Sequence, residues 1–200
     1  MAIKIKTKKN SIVNIESSLK SNENTITNNE SYDTVSMYFE DFYEPKKVKN
    51  FIKNCEKNIR KSDAYSSYIG NLRNEKGLHF CAIKGNITDE DASIEFHHYP
   101  FSLYDICYLE LMRMSNENEK ITSFKLASNV IELHAKNMIG LVPLCITEHQ
   151  LVHDGVKFVP LTSVIGKVNE FVNKYYDYLL DDQIEKYNKL IEYTENYNKK

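Results

Sequence analysis

At 200 residues the chain is long enough to bury a sizeable core within one ordinary domain. Its 26 basic residues face 28 acidic ones, a formal net charge of −2, which excludes a globally basic nucleic-acid binder and leaves only a local basic face for such contacts. The cysteines at 55, 81, 107 and 145 form no CxxC pair, and no apolar run approaches about 18 residues, which points to a soluble, intracellular chain with reduced thiols and no membrane partner.

Residues 1–35, rich in Ser, Asn, Thr and Lys, read as a flexible or loosely packed arm, with Ile3 and Ile5 alternating with lysines as a short edge strand. A strand over Val35–Phe39 leads to Pro45, which suits the first turn of a helix. From Lys46 to Lys61 that helix sets Val48, Phe51, Ile52, Cys55 and Ile59 toward a core. It also carries Lys46, Lys47, Lys49, Lys53, Lys57, Arg60 and Lys61, which read either as the solvated face of a surface helix or as a face that tracks phosphates.

Ser62-Asp63 caps a helix over 63–73, and Leu78–Ile83 has the residues of a strand. Asp89, Glu90 and Asp91 form an acidic turn, more ordinary as an exposed turn than as a cation site. Ser93–His98 is the next strand. A helix from Phe101 or Ser102 to about Met114 follows, then one capped by Thr122 or Ser123 that runs to about Lys136 with His134 inward. Gly140 is expected to take a backbone conformation that other residues avoid. Leu141–Cys145 is a strand, and Thr147 caps a short helix that Asp154-Gly155 ends. Val156–Leu161 reads as extended, 163–180 as an amphipathic helix, and Asp181-Asp182 as the cap of a last helix. The organisation is thus an arm over 1–35, a partly basic helical region over 36–77, a domain over 78–162 with a helical insertion at 101–139, and C-terminal helices over 163–200.

The chemistry concentrates in two stretches, Ile94–Pro100 and Leu141–Gly155. Adjacent strand residues point to opposite faces, so His97 and His98 serve different purposes. Residues four apart share a helix face, so His149 and His153 can grip one ion together. His79 and His134 are assigned structural places.

Glu95-Phe96-His97-His98-Tyr99-Pro100, followed by Leu141–Cys145 and the His149–His153 pair, resembles the HNH endonucleases, His-Me finger enzymes built on a ββα-metal unit. The match looks most like the colicin-type motif and the HNH proteins of bacteriophages, and it spans about residues 78–160. It implies an α+β fold in which a ββα-metal core carries a helical insertion and flanking N- and C-terminal helices. It implies hydrolysis of DNA phosphodiesters, with RNA left open, in the host cytoplasm. By residue, it makes His98 the general base and His97, His149 and His153 the ligands of one divalent ion, of which Zn, Ni, Mn and Mg are candidates. Three departures accompany it. Gly140 stands where the family has Asn, with Asn137 nearby; the interval between the motifs is long; and Glu148 takes the place of a second cysteine after Cys145. The alternative is a non-catalytic module of the same fold, an interaction protein that zinc stabilises. Oligomeric state is open.

Overall fold

The computed structural model describes residues 34–199, all within the unit that starts at Tyr32; the Ile3–Ile5 strand and nearly all of the N-terminal arm lie outside them. Pro45 opens helix α1 (Pro45–Lys61), where its fixed φ suits the first position and its missing amide is no loss. Phe51, Ile52, Cys55 and Ile59 form its buried stripe. Ser62 then accepts the amide of Tyr65 and starts α2 (Asp63–Asn74). Beyond a loop over 75–93 comes strand β1 (Ile94–His98). Ser102, in a reciprocal cap with Asp105, opens α3 (Leu103–Asn116), and Thr122 opens α4 (Ser123–Ala135). Strand β2 (Leu141–Cys145) runs directly into α5 (Ile146–His153), and α6 (Val168–Tyr175) and α7 (Asp181–Tyr197) complete the chain.

The protein is therefore a mostly helical α+β chain with a two-stranded antiparallel sheet. One apolar core joins α1, α3, α4 and α6, and holds Ile52, Leu109, Met114, Leu126, Phe171 and Tyr175. Inside it Glu110, 1% exposed, receives both Arg113 Nε and a terminal nitrogen of the same guanidinium, Asn129 Nδ2 at 2.7 Å and the Tyr175 hydroxyl at 2.5 Å. A smaller core under the sheet gathers Cys81, Ile94, Tyr99, Val142, Leu144 and Val152.

The sheet pairs Ile94 with Cys145, Phe96 with Pro143 and His98 with Leu141. On the edge of β2 away from β1, Leu141 exchanges both backbone bonds with Ile165, and the Pro143 carbonyl accepts the Ala82 amide. Pro143 thus sits mid-strand at no cost to the ladder, because its nitrogen faces away from β1.

Several expectations fail locally. Thr147 lies inside α5, whose N-cap is Cys145, and Asp181 and Asp182 fall in the first turn of α7 behind the N-cap Leu180. Val35–Phe39 is no strand: Ser36 alone bridges Thr122, and Asp41, bound to the Tyr38 amide, winds Phe39–Tyr43 into a 3-10 turn. Leu78–Ile83 leaves only a Phe80–Thr88 bridge, since the Cys81 amide goes to Ile87 across a tight turn. The helix read over 163–180 begins at Val168, because Ile165 pairs with β2 and Gly166 adopts φ 117°; a 3-10 turn over Tyr176–Tyr178 then follows α6. Gly140 is not left-handed. Asn137 carries that conformation (φ 56°), and Gly140 is required by close approach, since a Cβ there would stand 2.0 Å from the Tyr99 carbonyl oxygen.

Candidate functional site

The strict alternation of β1 sends its two histidines to opposite faces. His97 and Glu95 face α5, which packs against both strands. There the ring centres of His97 and His149 lie 4.7 Å apart, those of His97 and His153 6.2 Å, and those of His149 and His153 6.4 Å. His149 Nδ1–H donates to Glu95 Oε2 at 2.5 Å, which fixes the tautomer and leaves Nε2 free to accept. Burial, then the neighbouring imidazoles of His149 and His153, push His97 down to about 4, so it is neutral at physiological pH. Among the described residues, no group of three or more His, Cys, Asp or Glu is gathered closely enough to hold a metal ion as the side chains stand. His153, the outermost of the three with its side chain 69% exposed, sits beside Asp154 at 3.6 Å.

His98 turns the other way, into the helical body. It is 6% exposed and stacks on Tyr65, with its Nε2 3.0 Å from Nε2 of His134. His134 Nδ1–H donates to the Val130 carbonyl, so its Nε2 must accept and His98 Nε2–H must donate. Burial holds both imidazoles neutral, His134 at about 4 and His98 well below its ordinary value. The inward placing of His134 agrees with its helical spacing.

Several other groups are settled by their neighbours. Glu148 is 1% exposed and bound by Lys157 at 2.6 Å and Lys84 at 3.6 Å. Asp89 takes His79 Nδ1, and Asp91 accepts the amide and hydroxyl of Thr88, so the acidic turn caps itself. Arg73 donates to the Ile94 carbonyl and lies over Phe96, tying α2 to the sheet. Sequence reasoning passed over Glu95 and Glu148. Alternation along β1 carried the signal for Glu95, two residues from His97; nothing in the local pattern marks Glu148 as buried.

The cations of α1 lie opposite its buried stripe, and all seven are exposed. Lys47 is held by Asp41 and Glu44, and Arg60 by Glu56 at 3.7 Å. Among the described residues, Lys46, Lys49, Lys53, Lys57 and Lys61 have no ion-pair partner.

The chain belongs to the bacteriophage G278-like virion protein family, whose sequence model matches residues 1–200. No curated protein and no solved structure matches it. This membership overturns the resemblance to the HNH endonucleases, and with it the enzymatic reading, the phosphodiester hydrolysis and the zinc-stabilised HNH-module alternative. The general-base role of His98 falls with the enzymatic reading; the side chain itself is enclosed, with its Nε2 engaged by His134. The place of such a protein is the virion, not specifically the host cytoplasm. No helix among the described residues is long and apolar enough to cross a membrane.

Proposed function

We propose that this protein is a non-enzymatic virion component that lies against packaged nucleic acid, DNA in the first instance, through helix α1. The observation that carries the reading is the row of five unpartnered lysines, 46, 49, 53, 57 and 61, on the face opposite the buried stripe. At 1.5 Å per residue the row extends over roughly 22 Å, along which a duplex presents many phosphates. The net charge of −2 makes this face a local feature that orients the chain, with acidic surface elsewhere turned away from the polyanion. The test is fluorescence anisotropy with a duplex of random sequence across a salt series. Five phosphate contacts give a slope of log K against log salt near −4 to −5, independent of sequence, and each Lys→Gln reduces it by about 0.9. Binding that is absent at low salt, or unchanged in Lys53→Gln/Lys57→Gln, removes the reading; an RNA duplex in parallel decides between the two polymers.

A second reading concerns the imidazole cluster. His97, His149 and His153 would hold a divalent transition-metal ion between β1 and α5, with Glu95 orienting His149. Its support is the spacing of the three rings, 4.7–6.4 Å, which brackets the roughly 5 Å that tetrahedral imidazole ligands require. His153 must swing inward to complete the set. Bound there, the ion would supply a clamp between strand and helix. Calorimetric titration with Zn, Ni, Co and Mn salts tests it: wild type should bind one ion and melt higher, and His149→Ala should do neither. Equal behaviour of the two proteins ends this reading.

A further inference from the structure

Helix α7 buries one stripe and leaves a ridge of another kind outside. Glu185, Lys189, Tyr193 and Tyr197 succeed one another at intervals of four, so they form one ridge that winds from the outer face of the helix toward its flank. The ridge has two chemically different halves. Glu185 and Lys189 form an ion pair at 2.6 Å, with both side chains well exposed. Tyr193 and Tyr197, 37% and 54% exposed, follow with ring centres 6.2 Å apart. Phe158 lies 5.9 Å from the Tyr193 ring and is 45% exposed, so three neighbouring aromatic rings meet solvent in one patch. Contiguous apolar surface of this kind marks a contact site.

We propose that the ridge binds a second copy of this chain, pairing α7 with α7 antiparallel about a twofold axis near Ile191. Complementarity carries the choice of partner. About such an axis the charged half of each ridge meets the aromatic half of the other. Lys189 comes over the Tyr193 ring of the second copy, whose π face attracts an ammonium, and the Tyr197 hydroxyl of that copy donates to Glu185. Each contact occurs twice, because a twofold interface uses the same patch on both sides. Parallel pairing would instead set lysine beside lysine and carboxylate beside carboxylate. Interdigitation of ridges built at intervals of four is also the commonest way in which two helices pack.

Nucleic acid is the poorer occupant of this face, since α7 carries five carboxylates against two lysines. A pair of crossing helices buries less than the roughly 800 Å² per partner of a standard interface, so the dimer is reversible, with a Kd on the order of 10–100 µM. Copies held close together in a virion meet at a far higher effective concentration.

The test is sedimentation velocity on the full chain, over a concentration series that brackets this range. The expected result is monomer at the low end and dimer at the high end. Lys189→Glu, a change at an exposed position, should weaken dimerisation about tenfold. Tyr193→Lys sets ammoniums against each other across the axis and should abolish it. Lys189→Glu/Tyr193→Lys restores opposite charges there and should recover it. Thermal melts check that each variant is folded, and Lys189→Glu decides alone if substitutions at Tyr193 unfold the chain. A chain that stays monomeric throughout overturns the proposal and leaves the aromatic patch to a different virion protein. A dimer indifferent to Lys189→Glu, or a folded double variant that remains monomeric, overturns it equally.

Discussion

The helical body and the sheet unit are stabilised in different ways. The body buries a broad apolar core from four helices, with a polar network around Glu110 and the His98–His134 pair inside it. The sheet unit has two five-residue strands and a short helix over a much smaller core. It depends on individual polar ties: Arg73 to the Ile94 carbonyl, Glu95 to His149, the Val159 amide to the Tyr99 hydroxyl, and two lysines to Glu148. A body of the first kind tolerates the loss of any surface contact, because apolar area carries its stability. A unit of the second kind is specified contact by contact, and neighbouring histidines in it invite more than one explanation.

The comparison can be broken first at Glu110. Glu110→Ala leaves the Tyr175 hydroxyl and Asn129 Nδ2 without their acceptor and Arg113 with only Glu117 and Glu119, and should cost about 2–4 kcal/mol in urea unfolding; a cost below about 1 kcal/mol would mean that the network is incidental. Next is the junction between the two regions. Gly140→Ala drives a methyl into the Tyr99 carbonyl and the Val168 side chain, neither free to retreat, and should cost about 3 kcal/mol. Unchanged stability there would show that α6 and the 99–100 turn are not seated as described.

Acid supplies the third test, because His134 joins the regions through His98. Its folded value, about 4, lies below the ordinary 6.5. The unfolded chain therefore binds the proton first, so this stabilisation is complete above pH 6.5 and is lost as pH falls toward 4. At 1.36 kcal/mol per pH unit between those values the loss approaches about 3 kcal/mol. His97 and His98 are lowered too, so His134→Phe should reduce the slope there by one residue's share without removing it, and a curve of unchanged slope would deny the linkage. The smallest effect belongs to Glu95→Gln. This half-exposed pair is solvent-screened, so the substitution should cost at most about 1 kcal/mol in metal-free buffer. A larger loss would mean that this tie carries more of the unit than its exposure suggests.

The same contrast explains what could be read in the sequence. Helices α1 to α4 follow from apolar spacing, from Pro45 and from the caps at Ser62, Ser102 and Thr122, all local signals. Strands β1 and β2 were legible from their residue types, and the opposite facing of His97 and His98 from the two-residue period. What failed depended on partners distant in sequence. Ile165 cannot begin a helix because Leu141 claims its backbone, and Leu78–Ile83 spends its amides on a turn and on Pro143. The functional resemblance failed for a related reason: histidine spacing describes which rings can meet, and it leaves open whether an imidazole faces solvent or, like His98, is enclosed against His134. Gly140, read as a departure from a motif, is instead the residue that the crowding beside Tyr99 demands.

The direct join of β2 to α5 has a genetic consequence. Cys145 is the last residue of the strand and the cap of the helix, with no linker to absorb a change in length. One codon inserted there would turn α5 by about 100° about its axis and swing His149 and His153 away from His97. Substitutions along this stretch can be accommodated one contact at a time, but an insertion or deletion displaces the whole face at once. Among related virion chains this segment should therefore vary in residue identity while keeping its length, and a sequence comparison that finds frequent gaps between 141 and 153 would contradict the coupling.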